Sequence, residues 1–298
     1  MPNLRRKSTR TISIKHWEAA SELIGLQGKW FGFDSAFFID DPMILDYFLH
    51  KYHWHWHHHL LKHRHIPGVV VNPELLDELL HVIDKIPPAR FRFNLFLQYK
   101  RPEYVKSPLG GEYDAWGIPY FRYYPSSEQQ EMLERLEIAA SSNAVVSYAS
   151  PAFHLREELF NTHMERLIVE KSNYVGPSRL KGHHCYTYVE PGASGKAFSD
   201  PEDIEDEGFD RKLSRARESN QGQNEGVRVL VKQAGRMVSQ ALQASNIDTR
   251  NAFREAHHRI MGRIMESVES SGDMETYSSF VNVQTFCFLN KTAWSLVG

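Results

Sequence analysis

The chain has few cysteines and no long apolar run. Its two cysteines, Cys185 and Cys287, are far apart and have no partners at metal-ligand spacing, so they can build neither a disulfide framework nor a zinc ribbon. No stretch reaches the roughly 18 apolar residues of a membrane span, and residues 1–10 lack the apolar run of a signal peptide. These absences predict a cytoplasmic protein without a membrane partner.

The chain also lacks an excess of positive charge. Its formal net charge of −2 excludes a broadly basic surface that coats nucleic acid, so any such contact must come from local patches. One patch lies in residues 5–10, although this segment fits a disordered leader equally well. The other consists of Arg90, Arg92, Lys100 and Arg101.

What the chain does contain is enough apolar sequence for a large core. It has 298 residues, of which 41% are hydrophobic and 12% aromatic, which suits one large domain or one domain with an appended region. We predict an α/β core over residues 11–150, interrupted by a helical insertion rich in His and Trp at about 41–88. Residues 151–298 are predicted to form a mainly helical carboxyl-terminal region.

The stretch RFRFNLFLQYKRP, residues 90–102, is the strongest strand prediction. Phe91, Phe93, Leu95 and Leu97 alternate with more polar residues at the period of a β-strand. Because Phe96 makes the second face partly apolar too, the pattern predicts an interior strand.

The elements around this strand predict a mixed, partly parallel sheet. A helix is expected over 13–26, a strand over 30–39, helices over 73–86 and 128–141, and a buried strand over 144–149. A helix that crosses back to a buried strand is typical of a sheet with parallel neighbours.

Further along, the patterns are less regular. Residues 153–167 are expected to be helical, 191–208 an exposed turn-rich and acidic loop, and 225–244 and 249–270 two helices. Residues 280–289 alternate like a strand, and 292–297 predict another.

The candidate chemistry lies in Glu18, Asp34, Gln98 and Lys100. Side chains at i and i+2 of a strand point the same way, so the carboxamide of Gln98 and the ammonium of Lys100 share one face. A hard divalent ion such as Mg²⁺ takes oxygen ligands, which Asp34 and Gln98 can provide. Such an ion activates bound water and shields phosphate charge, and a neighbouring lysine can orient the nucleophile or stabilise charge on the phosphorane.

The order acidic helix, Asp strand, Gln-x-Lys strand, helix, buried strand resembles the restriction-endonuclease-like superfamily of nucleases, also written PD-(D/E)XK. The Gln-x-Lys form is similar to nuclease effector domains of bacterial anti-phage systems and to some restriction enzymes. The resemblance covers about residues 13–150. It implies Asp34 as the main ligand of Mg²⁺ or Mn²⁺, Gln98 as a second ligand, Glu18 as a further metal-binding carboxylate, and Lys100 as the catalytic lysine.

The resemblance has one departure, since the stretch between Asp34 and Gln98 is longer than the usual spacing. If Asp34 is not the ligand, Asp40 or Asp41 takes its place and the strand shifts. Glu22 is the rival of Glu18 on the first helix.

A second candidate site is a histidine cluster in the insertion. Imidazole suits Zn²⁺, and histidines four apart on a helix can share one ion. Trp54 and Trp56 interrupt the series, and no His-Glu-x-x-His pattern occurs, which favours an aromatic helix that packs on a partner or stacks on bases. The histidines concerned are His53, His55, His57, His58, His59, His63 and His65.

Basic residues near Gln98 and Lys100 could bind the phosphate backbone of a nucleic acid. Arg90, Arg92 and Arg101 are the predicted nucleic-acid contacts, although Arg101 could instead pair with Glu103.

These observations together predict a Mg²⁺-dependent endonuclease that cleaves DNA, and the resemblance implies a role in bacterial defence against phage or foreign DNA. A partner protein of the defence system and a homo-oligomer are expected partners besides DNA. The alternative is a non-catalytic component that uses the same fold to bind nucleic acid or protein. A zinc protein built on the histidines is a third interpretation.

Overall fold

The computed structural model describes residues 73–85, 93–220, 226–265 and 273–297. The chain divides into two compact units, one of residues 70–296 and one mainly of residues 1–69, and all but one of the described residues belong to the former. The predicted helix at 13–26, the strand at 30–39 and most of the 41–88 insertion lie outside the described residues.

The described part is a mixed α/β structure, as predicted. Its seven α-helices are α1 Pro73–Lys85, α2 Ser127–Ala140, α3 Arg156–Met164, α4 Phe209–Ser219, α5 Val227–Gln243, α6 Ile247–Met265 and α7 Met274–Asn290. Its nine strands are β1 Phe93–Tyr99, β2 Glu103–Val105, β3 Tyr120–Tyr123, β4 Ala144–Pro151, β5 Ser172–Val175, β6 Cys185–Tyr188, β7 Ser194–Phe198, β8 Glu202–Glu205 and β9 Ala293–Val297. Two short 3-10 helices cover Tyr113–Ala115 and Pro177–Leu180.

The first sheet has the order β5-β4-β1-β9. Strand β1 is interior and pairs with β4 in parallel, with Gln98 opposite Tyr148, while β5 runs antiparallel to β4. All residues of β1 but Tyr99 are buried. The predictions of an interior strand and of a partly parallel sheet are therefore confirmed.

The second sheet is antiparallel, with the order β2-β3-β6-β7-β8. Strands from both sides of residue 150 pair in each sheet, because β5 pairs with β4 and β6 pairs with β3. The expected domain boundary at residue 150 therefore coincides with no break in either sheet.

The main core joins the helices to both sheets. Phe96 of β1, Leu133 of α2 and Val231 of α5 belong to one buried cluster, which continues through Tyr186 of β6 and Phe286 of α7. One face of β1 thus lies against helices, and Tyr148 links this layer to the aromatic rings of the second sheet through its contact with Tyr123.

Several helices and strands lie where the sequence predicted them. Helix α1 matches the prediction over 73–86, α2 the one over 128–141, and α5 and α6 the two carboxyl-terminal helices; β9 matches the strand over 292–297. Among the described residues after 150, helices make up most of the regular structure, as predicted.

Two predictions were wrong. Residues 280–289 form the end of helix α7 rather than a strand, because α7 buries residues on nearly every side and so shows no clear helical period. Residues 191–208 were predicted to be an exposed loop, yet they contain β7 and β8, of which β8 is an edge strand of the second sheet. The edge strand β8 buries only Ile204, and exposed charged residues are typical of sheet edges, which explains its loop-like sequence.

No helix within the described ranges is long and apolar enough to cross a membrane.

Candidate functional site

The candidate site lies where β1 ends. Gln98 is the penultimate residue of β1 and Lys100 follows its last residue, so both are at the carboxyl end of a strand that runs parallel to β4. Ligands of open α/β sheets bind outside the carboxyl ends of such strands. We call the end of the first sheet at which Gln98 and Lys100 lie the β1 edge. The name refers to the carboxyl end of β1, which is itself an interior strand.

The backbone at Lys100 is fixed to β4. Its amide donates a hydrogen bond to the Ala149 carbonyl at 2.9 Å, and its carbonyl accepts one from Ser150 Oγ at 2.9 Å. Tyr188 Oη in turn donates to Ser150 Oγ at 2.7 Å. The lysine therefore projects from a backbone position that both sheets hold rigidly, as a precise binding site requires.

Gln98 is buried, with 1% of its surface exposed, and connects three elements. Its Nε2 donates to the Asn290 carbonyl of α7 at 2.7 Å and to Gln129 Oε1 of α2 at 2.9 Å. Its Oε1 is buried and has no hydrogen-bond partner in the described part of the chain. Because an unpaired buried acceptor costs about 1–3 kcal/mol, this oxygen is a group that a ligand could satisfy.

Lys100 carries a charge in a poorly hydrated place. Its Nζ lies 5.4 Å from the centre of the Tyr148 ring, a cation–π distance. Burial, followed by the charge of Lys291, lowers the pKa of Lys100 to about 8. None of the ion pairs between described residues includes Lys100.

The ring beneath Lys100 is held by hydrogen bonds. Tyr148 Oη donates to Gln130 Oε1 of α2 at 2.5 Å, and Gln130 Nε2 donates to the Pro177 carbonyl. Burial raises the pKa of Tyr148 well above its usual value, so the hydroxyl stays protonated. Tyr148 therefore acts as a fixed platform under the ammonium.

The structure brings two of the four predicted site residues together and says nothing of the others. Glu18, Asp34 and their rivals Glu22, Asp40 and Asp41 lie outside the described residues, as do Arg90, Arg92 and the histidine cluster. Arg101 is described and exposed. The alternative pairing of Arg101 with Glu103 does not occur: Glu103 accepts a hydrogen bond from Arg122 Nε at 2.9 Å, and no ion pair between described residues includes Arg101.

The β1 edge fits a divalent ion only in part. The unpaired Gln98 Oε1 is an oxygen donor of the kind that Mg²⁺ accepts. The residues described here contain no group of three His, Cys, Asp or Glu side chains that could hold a metal. A complete site would therefore need carboxylates from outside the described ranges, the part predicted for Asp34 and Glu18.

Sequence reasoning missed a second polar region, which we call the Asp206 cluster: Glu137, Gly176, Arg179, Asp206 and Lys212. Its four charged residues line a surface pocket of about 330 Å³, to which neither Gln98 nor Lys100 contributes. Asp206 accepts hydrogen bonds from the Gly176 amide at 2.6 Å and from Lys212 Nζ.

The remaining groups of the cluster are also paired. Asp206 Oδ1 accepts a hydrogen bond from the Glu207 amide at 2.7 Å and lies 3.7 Å from Arg179 Nε. Burial raises the pKa of Glu137, which accepts a hydrogen bond from the Ser178 amide at 2.7 Å. These residues come from separate elements, so no local motif could reveal them, and their pairing indicates a structural role.

The thiol of Cys185 can be excluded as a nucleophile. It is completely buried, and burial, with a smaller contribution from Glu112, raises its pKa to about 12. Nucleophilic cysteines need a lowered pKa instead.

Comparison with protein-family models, with curated proteins and with solved structures found no match to this chain.

Proposed function

We propose that the protein is a metal-dependent nuclease that hydrolyses phosphodiester bonds in DNA at the β1 edge. The observation that carries this proposal is the pairing, at the end of one rigid strand, of a buried unpaired carboxamide oxygen with a lysine that has no acidic partner in the described part of the chain. The carboxamide oxygen of Gln98 is suited to a cation and the ammonium of Lys100 to an anion. A phosphodiester with its bound divalent ion supplies both.

The chain's own residues have distinct roles in this proposal. Gln98 Oε1, with Asp34 and Glu18, would hold Mg²⁺ or Mn²⁺. The ion would supply an activated water and neutralise phosphate charge. Lys100 would place its ammonium against a phosphate oxygen, where negative charge grows as water attacks. The Tyr148 ring would keep that ammonium in place.

The test is cleavage of plasmid DNA with Mg²⁺ or Mn²⁺, with EDTA as the metal-free control. We expect Lys100→Ala and Asp34→Ala to slow cleavage on the order of 100-fold or more, the usual cost of removing one group that stabilises the transition state. Lys181→Ala serves as the matched lysine control and should cleave like the wild type, because Lys181 is exposed and its charge is already paired with Glu134. Equal cleavage by all variants would eliminate the proposed site.

A second candidate is a non-catalytic component that binds nucleic acid or protein. The two hydrogen bonds from Gln98 Nε2 favour it, since they hold α2 and α7 against β1 and give Gln98 a structural task. DNA binding without cleavage by the wild type, in either metal, would support this candidate. The role in bacterial defence depends on the sequence resemblance alone.

A further inference from the structure

Lys291 lies beside Gln98 although the two are far apart in the sequence. It directly follows Asn290, the last residue of α7, whose carbonyl accepts the 2.7 Å hydrogen bond from Gln98 Nε2. The end of α7 is therefore anchored to the β1 edge by a buried contact, and the position of Lys291 is fixed by it.

Lys291 adds an unbalanced positive charge to this edge. It is exposed, and no ion pair between described residues includes it. Its charge is, after burial, the second cause that lowers the pKa of Lys100, the direction expected when one cation lies near another. Two neighbouring cations without an ion-pair partner among the described residues create a local site of positive potential on a chain of net charge −2.

The backbone of Lys291 is in a conformation that does not favour lysine. With φ 50° and ψ 45° it is left-handed, the state in which helices usually end on glycine because a side chain there costs energy. A lysine next to a helix carboxyl end also interacts favourably with the helix dipole. This interaction could explain the lysine by a structural role alone, so a test must distinguish it from ligand binding.

We propose that Lys291 binds a phosphate group of the DNA strand next to the phosphate held by Lys100. A lysine ammonium is a point charge suited to the non-bridging oxygens of a phosphate, and each such contact releases a counterion from DNA. The identity of the strand as DNA rests on the proposed function, whereas the contact with a phosphate rests on the position and charge of Lys291.

The experiment measures binding of a short double-stranded DNA by fluorescence anisotropy in EDTA, so that no cleavage occurs. Lys291→Gly removes the charge and suits the left-handed backbone, Lys291→Arg keeps the charge, and Lys181→Ala is the control. Lys181 suits this purpose because it is an exposed lysine whose charge is already balanced by an ion pair with Glu134, at 2.7 Å.

We expect Lys291→Gly to weaken binding on the order of tenfold at about 0.1 M salt and to lower the slope of log affinity against log salt by about one. Lys291→Arg and Lys181→Ala should bind like the wild type. Melting of Lys291→Gly at or above the wild-type temperature would show that the loss does not come from unfolding. Unchanged affinity and slope for Lys291→Gly would overturn the inference, as would an equal loss for Lys181→Ala.

Cleavage assays distinguish this failure from failure of the proposed function. If the wild type cleaves plasmid and Lys291→Gly binds DNA normally, the inference is wrong and the nuclease stands. If the wild type never cleaves but Lys291→Gly loses affinity, the nuclease is wrong and the phosphate contact stands.

Discussion

The β1 edge and the Asp206 cluster both bury polar groups, but only one of them is complete. In the Asp206 cluster each carboxylate oxygen of Asp206 accepts a backbone amide, and Lys212 adds a buried countercharge. At the β1 edge the Gln98 Oε1 atom has no hydrogen-bond partner in the described part of the chain, and the charge of Lys291 lowers the pKa of Lys100.

This difference indicates which region serves the fold and which is open to a ligand. Buried polar groups are normally hydrogen-bonded, and an exception needs its own explanation. A region whose charges balance internally has no need of a ligand, even where it lines a pocket. A region with an unpaired acceptor and unbalanced cations can form both a hydrogen bond or metal contact and an ionic contact with a ligand.

The largest effect is expected in the Asp206 cluster. Asp206→Ala removes the ion-pair partner of buried Lys212, and breaking a buried ion pair in this way typically costs about 3–5 kcal/mol. Urea unfolding would measure the loss in the free energy of unfolding. The double variant Asp206→Ala/Lys212→Met is the control and should recover part of it, because the stranded charge is gone. A loss below about 1 kcal/mol for Asp206→Ala would show that the cluster is not structural.

The two ends of helix α7 differ in the same way as the two regions. Its first turn has a complete hydrogen-bonded cap, whereas its last residue lies at the β1 edge. Asp273 Oδ1 accepts a hydrogen bond from the Thr276 amide at 3.0 Å. Asp273→Ala removes this cap, and we expect a loss of about 1 kcal/mol in the free energy of unfolding. Asp273→Asn keeps an oxygen acceptor and should lose less; an equal loss in both variants would point to the charge instead.

The cap also makes stability depend on pH. Hydrogen bonds from Thr276, followed by the charge of Lys232, lower the pKa of Asp273 from 3.8 to about 2. Because the folded-state pKa is depressed, this contribution is fully present above about pH 4 and is lost as the pH falls toward 2. Unfolding measured across this range should therefore show a smaller pH dependence in Asp273→Ala than in the wild type.

At the other end of α7, Gln98→Leu tests whether the β1 edge is built for stability. The change removes two hydrogen bonds, each of which stabilises the fold by about 1 kcal/mol. It also removes an unpaired acceptor, whose burial costs about 1–3 kcal/mol. We expect a net loss of at most about 1 kcal/mol in urea unfolding, less than for Asp206→Ala. A loss as large as that of Asp206→Ala would show that Gln98 is a structural clamp and would favour the non-catalytic candidate.

Elements with strong local patterns were predictable from the sequence. Strand β1 alternates cleanly at Phe93, Leu95 and Leu97, and α1 shows an apolar stripe with Pro73 at its first position. The pairing of Gln98 and Lys100 at the strand end follows from the same alternation.

Features that depend on contacts between distant segments were not predictable. The link from Gln98 to Asn290 joins residues 192 positions apart, and nothing local marks it. Lys291 was missed for this reason, and also because residues 280–289 were interpreted as a strand. In the structure these residues belong to helix α7, which ends at Asn290 and so places Lys291 at the β1 edge.

The smallest expected effect is a gain in stability at Lys291. Relief of a left-handed lysine is worth about 1–2 kcal/mol, which the greater chain entropy of glycine and the lost helix-dipole interaction partly offset. We therefore expect Lys291→Gly to raise the free energy of unfolding by about 0.5 kcal/mol, measured by urea unfolding in low salt. Arg166 offers the matched control, since it is an exposed cation with φ 60° after α3, and Arg166→Gly should gain a similar amount without losing DNA affinity. If Lys291→Gly instead lost stability, the lysine would be stabilising α7 through its dipole, and the β1 edge would then resemble the Asp206 cluster as a region that serves the fold.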